Sequence, residues 1–200
     1  MNKKNWDKFA PIYNLFMKKD KKAYVQMYQK IRNTVQFKEV LELATGTGLI
    51  AGNIAGSAKR FEATDFSEKM IVEARKSFHA NNLNFAVADA CHLPYDSDSF
   101  DVVIISNALH IMPEPKKALA EIHRVLKKDG ILIAPTFVHA KMTFPKRLLS
   151  KAMGIVGFQV AYKWTAETYL NFLRKNGWKI RKKSLLKASF PLVYVECIYY

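Results

Sequence analysis

Residues 40–48, VLELATGTG, constrain the chain more than any other stretch. An apolar run carries one carboxylate, Glu42, and then breaks into small residues and glycines. The pattern predicts a buried strand, a tight turn and a helix starting at about Gly48. Gly46 and Gly48 suit a place where the backbone turns sharply and a ligand comes close, because a Cβ would obstruct both. The amides of such a turn and of the first helical turn are expected to meet that ligand. Glu42, two residues before Ala44 at the strand's end, can accept hydrogen bonds from it. These features predict a nucleotide-type cofactor site; the plainer alternative is an ordinary strand–turn–helix.

The pattern repeats along the chain. FEATD, at 61–65, reads as a second strand ending in Asp65, nineteen residues after Gly46. An acid at the tip of the second strand of a βαβ unit faces the hydroxyls of a bound ribose. Ser67 then caps a helix carrying Met70, Ile71 and Ala74. LNFAV, at 83–87, is a third strand that runs into Asp89 and Ala90. FDVVIISNAL is almost wholly apolar from Val102 to Ile105, as a central parallel strand covered on both faces must be, and ends in Ser106 and Asn107. A helix over 115–128 and a strand at Ile131–Ala134 follow. Before the first strand, 8–17 and 21–36 have helical apolar spacing, with Asp20 as an expected N-cap. After the fifth strand, 139–163 breaks the rhythm. Thr165 caps a last helix over 166–176, and 178–200 reads as an antiparallel hairpin turning at about Ser189–Pro191.

Strands alternating with helices predict an α/β fold: a doubly wound, mostly parallel seven-stranded sheet with helices on both faces and a C-terminal hairpin. One domain is expected over 1–200. Its parts are a helical cap (1–36), a cofactor-binding core (37–135), an insertion on the substrate side (139–163) and the last helix with its hairpin (164–200).

Cys91 and Cys197 are too far apart in the sequence for a metal cluster or a disulfide framework, so no metal is expected. There is no apolar run of the roughly 18 residues a spanning helix requires, and the N-terminus lacks a signal peptide's apolar region. The expectation is a cytoplasmic protein. The net charge of +15 is unevenly spread: residues 41–136 are slightly acidic, whereas 137–200 carry twelve Lys/Arg against two acids. Basic flanks attract anionic membranes, nucleic acid or acidic substrates, or simply solvate the protein.

With these motifs in place, the sequence resembles the class I S-adenosylmethionine-dependent methyltransferases. VLELATGTG resembles the family's first motif, ATDFSEKM its second-strand acid motif, VADACHLPY its adenine-contacting motif and FDVVIISNALH its fourth-strand motif. WDKFAPIYN and the layout resemble the ubiquinone/menaquinone and bacterial phospholipid N-methyltransferase branch. The resemblance implies S-adenosylmethionine as cofactor and S-adenosylhomocysteine as product. It places Glu42 near the methionine moiety, with Ala44, Thr45, Gly46 and Gly48 wrapping it. It gives the ribose to Asp65, the adenine faces to Phe66 and Met70, and the adenine edge to Asp89 and Ala90, with Cys91 beside them. Asn107 and Ala108 would line the methyl side. Ala44 stands where the family has its first glycine, which is tolerable if its φ is negative.

A nicotinamide dehydrogenase is the competing α/β reading, because residues 46–51 match G-x-G-x-x-A. Glu42 argues against it, since a carboxylate there would repel a pyrophosphate but can pair with an amino group. Methyl transfer needs alignment more than acid–base chemistry, so a base is required only if the acceptor must lose a proton. His110 is the candidate catalytic base. Tyr13, His110, His139 and Tyr162 are candidate substrate-pocket residues, each equally open to a purely structural role. The expected acceptor is a small molecule; the alternatives are a lipid or quinone met at an anionic membrane, or nucleic acid. The last is disfavoured because SNAL stands where base-methylating enzymes carry an Asn/Asp-Pro-Pro-aromatic motif. A non-catalytic cofactor-binding protein is a further alternative, and the oligomeric state is left open.

Overall fold

The computed structural model describes residues 20–138 and 161–200. Among these residues are five α-helices: α1 (Lys21–Val35), α2 (Leu49–Ile54), α3 (Glu68–Ser77), α4 (Pro115–Val125) and α5 (Ala166–Lys175). They alternate with β1 (Glu39–Leu43), β2 (Arg60–Asp65), β3 (Leu83–Val87), β4 (Phe100–Ile105) and β5 (Leu126–Ile133). Then come β6 (Thr136–Phe137), β7 (Trp178–Leu186) and β8 (Leu192–Tyr199).

The sheet runs β3-β2-β1-β4-β5-β8, with β7 on the far side of β8. β1 through β5 pair in parallel, and β8 runs antiparallel to both β5 and β7. β5 and β6 are one strand divided at Pro135, which has no N–H to give the ladder. The seven expected strands are therefore present in eight segments. The chain leaves β1 toward β2 and β3 on one side and returns to β4 and β5 on the other. The order reverses between β1 and β4, and that reversal opens a crevice at the strands' carboxyl ends.

Period-two alternation sends each strand's residues to two core layers. Leu41 and Leu43 pack toward α4 and α5 with Val103, Leu119, Ile122 and Leu173. Val40 packs toward α1 and α2 with Ile31, Ile50, Val102 and Ile104. Glu42 takes the next place on Val40's face, where the alternation calls for another apolar residue, and it is 1 % exposed. Charged groups do not stay in such places without a partner, so the sheet itself marks this residue.

Some boundaries shift from the sequence reading. α4 ends at Val125 rather than at 128, because Leu126 is already extended and pairs with Phe100 at the start of β5. Ser67 caps α3 as expected, its Oγ accepting from the Met70 amide at 3.3 Å. Thr165 caps α5 in a reciprocal box with Thr168. Asp20 precedes α1 but does not cap it; its carboxylate instead accepts from Ser189, in the β7–β8 turn.

Candidate functional site at the tips of the parallel strands

The turn after β1 is held from within. The Thr45 amide donates to the Thr64 carbonyl (2.9 Å), the Gly46 amide to Asp65 Oδ2 (2.8 Å) and the Gly48 amide to the Thr45 carbonyl (3.1 Å). These amides, expected to meet a ligand, are engaged inside the turn. What the turn offers is close approach of backbone. Gly48 sits at φ +78°, and a Cβ there would lie 3.0 Å from the Phe85 ring. Ala44 occupies the left-handed region at φ +52°, which corrects the expectation of a negative value. Its Cβ is tolerated at a cost, since L-residues crowd the following carbonyl in that region.

Glu42 lies beneath this turn. Its Oε2 accepts from the Thr45 hydroxyl at 2.9 Å. Burial pushes its carboxyl up to about 8, and Asp65 adds to the rise, against the pull of hydrogen bonds from Thr45 and the Ala51 amide. At neutral pH the ligand-free carboxyl is therefore mostly protonated. An arriving cation would favour the charged form. Tyr24, Ala44, Ile50, Ser106 and Asn107 join Glu42 in lining a small cleft. Its enclosed part, about 20 Å³, is room for one water, so a nucleoside would lie above it along the strand tips.

At the tip of β2, Asp65 uses both carboxylate oxygens: Oδ2 for the Gly46 amide and Oδ1 for the Ser67 amide, each at 2.8 Å. A carboxylate oxygen can accept more than one hydrogen bond. Phe66, next in the chain, is 47 % exposed, an unusual position for a ring, whereas Met70 is buried. After β3, Asp89 accepts from the Cys91 amide at 2.8 Å, and Ala90 is buried in the core. Cys91 is half-buried, with its thiol 3.7 Å from the Glu114 carbonyl; burial, then Asp89, push its pKa up, so it is a poor nucleophile.

At the tip of β4, Asn107 takes φ +53°, a conformation asparagine tolerates. Its amide donates to the Pro135 carbonyl (2.8 Å), and its Oδ1 accepts from the Phe137 amide (3.0 Å). Its Nδ2 donates to the Tyr24 hydroxyl at 3.1 Å. Ala108 is buried behind it. His110 is buried too, with Nδ1 3.0 Å from Thr136 Oγ1, and its carbonyl accepts from the Tyr162 amide at 2.9 Å. Tyr162 is 37 % exposed and stacks on Trp164.

Glu42, Asp65, Asp89 and Asn107 thus stand at the carboxyl ends of neighbouring parallel strands. Direct hydrogen bonds join the turn to Asp65, and Tyr24 to Asn107. His110 and Tyr162 sit beside each other on the β4 side. Tyr13 and His139 lie outside the described residues. Tyr24 lines the cleft but is not singled out by the sequence: it falls within the helical apolar spacing of 21–36, on one stripe with Met27, Tyr28 and Ile31. Among the described residues no group of three or more His, Cys, Asp or Glu could hold a metal ion. Among them, too, no helix is long and apolar enough to cross a membrane.

Comparison with known proteins gives the site a context. A family model described as "Methyltransferase domain" matches residues 41–134, from inside β1 to the end of β5. The demethylmenaquinone methyltransferase of Clavibacter sepedonicus is 41 % identical over 101 residues, which cover 50 % of this chain and 41 % of that protein. The chain thus spans well under two thirds of that relative. The demethylmenaquinone methyltransferase of Staphylococcus epidermidis is 27 % identical over 185 residues, 86 % of this chain and 77 % of the other. Among solved structures, a chain from the complex between the Haloferax volcanii Trm112 methyltransferase activator and a methyltransferase superposes with TM-score 0.83 at 17 % identity, covering 98 % of this chain and 96 % of its own. That likeness is one of fold.

Proposed function

We propose that the chain is a class I S-adenosylmethionine-dependent methyltransferase, which transfers a methyl group from S-adenosylmethionine to a small-molecule acceptor. The observation that carries this reading is the chemistry of the turn. The Thr45, Gly46 and Gly48 amides are engaged by Thr64, Asp65 and Thr45, and a buried carboxyl lies under the turn. A pyrophosphate wants free amide donors, and its charge would oppose ionisation of the buried acid, which a cation would favour. A cationic, amino-bearing nucleoside wants the reverse. The same facts disfavour a nicotinamide cofactor.

In this reading Glu42 pairs with the cofactor's amino group while Ala44, Thr45, Gly46 and Gly48 give it close backbone. Asp65 accepts from the ribose hydroxyls, and Phe66 lies against the adenine with Met70 beneath. Asp89, Ala90 and Cys91 border the adenine edge, and Asn107 and Ala108 the methyl side. The cofactor supplies a methyl group already activated by a positive sulfur; the protein supplies alignment and a dry site. His110, held by Thr136, takes the acceptor's proton where one must leave. Tyr162 forms a wall of the acceptor pocket. We read 1–200 as one domain, its acceptor side built by the N-terminal cap and the 139–163 insertion.

The named relatives favour a refinement, a quinone acceptor; the basic flanks extend it to a lipid acceptor met where the protein touches an anionic membrane. Calorimetry with S-adenosylmethionine and with NAD tests the main reading, followed by an acceptor screen read as S-adenosylhomocysteine release. Binding of S-adenosylmethionine alone, with turnover on a quinol, is expected. Binding of NAD in its place would overturn the assignment.

A further inference from the structure

We propose that the rim formed by the start of α1 and the β7–β8 turn docks the protein onto an anionic lipid bilayer. The proposal deepens the lipid-acceptor reading and rests on it for its purpose, though not for its test.

Two pieces of chain far apart in sequence are pinned together here. Asp20 Oδ1 accepts from the Ser189 amide at 2.6 Å and from its hydroxyl at 2.8 Å. The start of α1 therefore lies against the hairpin turn. Both lie at the sheet's carboxyl end. β8 runs antiparallel to β5, so its first residue, Leu192, meets Phe137 beyond β5 and Leu186 at the end of β7. Tyr24, on the first turn of α1, lines the cleft itself. The rim is thus the edge of the crevice mouth.

Beside the neutral Gln26 and Ser189, the rim exposes cations and aliphatic side chains. Lys21 and Lys22 on α1 and Lys183 and Lys187 on the hairpin are all exposed cations. Val25, on α1, is 53 % exposed, and Leu185, between Lys183 and Lys187 in the sequence, is 62 % exposed. Residues 179–200 carry five Lys/Arg and a single acid, Glu196, which is buried. Asp20 has its carboxylate turned to Ser189. No exposed carboxylate of the hairpin offsets the lysines.

Lysines on an edge strand have a simpler use, keeping the edge from pairing with another chain. That use accounts for the lysines of β7 but not for Leu185, nor for Lys21, Lys22 and Val25 on a helix. Aliphatic groups between lysines match the interface of an anionic bilayer: the cations are drawn to the surface charge and the aliphatic groups enter the acyl boundary. Nucleic acid would also draw these cations to its phosphates, together with Arg181, but it offers no apolar phase for Val25 and Leu185 to enter.

The test is co-sedimentation of the full chain with vesicles of phosphatidylglycerol and phosphatidylcholine, against phosphatidylcholine alone. Wild type should bind the anionic vesicles and not the neutral ones. Lys183→Glu/Lys187→Glu should cut the partition about tenfold or more. Val25→Ser/Leu185→Ser should remove whatever binding survives at about 0.5 M salt, where surface charge is screened. Lys69→Glu/Lys76→Glu, on the exposed face of α3, makes the same charge change elsewhere and should bind as wild type. Circular dichroism verifies that each variant is folded. Equal binding to both vesicle types, a rim variant that partitions as wild type, or rim-dependent binding to tRNA in place of vesicles would each overturn the proposal. Calorimetry with S-adenosylmethionine on the same samples reads the cofactor site separately, so failure of the methyltransferase reading and failure of the rim are distinguishable.

Discussion

The Gly46 amide donates to Asp65 Oδ2 at 2.8 Å, tying the turn after the first strand to the tip of the second. The same carboxylate holds the Ser67 amide. Asp65 therefore shapes the turn, and in the proposed reading it also accepts from the ribose. Asp65→Ala should weaken S-adenosylmethionine binding by about 1–3 kcal/mol, some 5- to 150-fold in Kd, and lower Tm as well. Asp65→Asn, which still offers one oxygen, should fall between the two. Calorimetry and thermal melting on the pair give both readouts; affinity unchanged in the alanine variant would remove Asp65 from the ligand.

Glu42 gives the protein a pH dependence with a definite sign. Its folded pKa is raised to about 8 from 4.5, so between those values the native state holds a proton that the unfolded chain has lost. The associated stability is present below about pH 4.5 and is lost as pH rises through about 8. The ligand-free protein should lose roughly 3 kcal/mol between about pH 5 and pH 8 from this group. Glu42→Gln should flatten that slope in urea titrations.

Glu42 should also couple cofactor binding to proton release. A cation arriving beside a protonated carboxyl favours its ionised form. Calorimetry at neutral pH in buffers of different ionisation enthalpy should show up to one proton released per cofactor in wild type and none from this site in Glu42→Gln. Identical proton counts in the two would show that Glu42 stays protonated when the cofactor binds.

Ala44 pays for its left-handed conformation with a Cβ. Ala44→Gly removes it and should stabilise the protein by up to about 1 kcal/mol, less the extra freedom glycine gives the unfolded chain. Ala44→Val should destabilise, because a branched side chain fits that region worst. Thermal denaturation of the two variants decides, and matching Tm values would mean that the turn relaxes around either residue.

Asn107 ties α1 to the strand tips through the Tyr24 hydroxyl. Tyr24→Phe should cost about 0.5–1.5 kcal/mol and Asn107→Ala more, since the latter also strands the Phe137 amide. A double-mutant cycle should return a coupling of at least about 0.5 kcal/mol; strict additivity would mean that the contact carries no energy.

Most of the fold was legible because apolar runs and their breaks are local signals. β1 and β3 fall at the expected residues, and Ser67 and Thr165 cap the expected helices. The strand-tip residues were legible for the same reason, each standing where an apolar run stops. The internal engagement of the turn amides was not, because a hydrogen bond from Gly46 to Asp65 depends on the register of two strands. Ala44's positive φ was hidden likewise, since alanine at that position suggests the opposite. Tyr24 was hidden by its own stripe, and Asp20 by a partner 169 residues away.

The place of β8 has a consequence for how the chain is made. It lies between β5 and β7, although both precede it in the sequence. Val193 and Val195 on it fill the layer under α4 and α5, and Glu196 receives the hydroxyls of Thr34 and Tyr194. A nascent chain that has emerged only through β7 therefore exposes a bare edge on β5 and leaves α1 without its far anchor. Synthesis must reach β8 before the sheet can close between β5 and β7 and before Thr34 of α1 can meet Glu196.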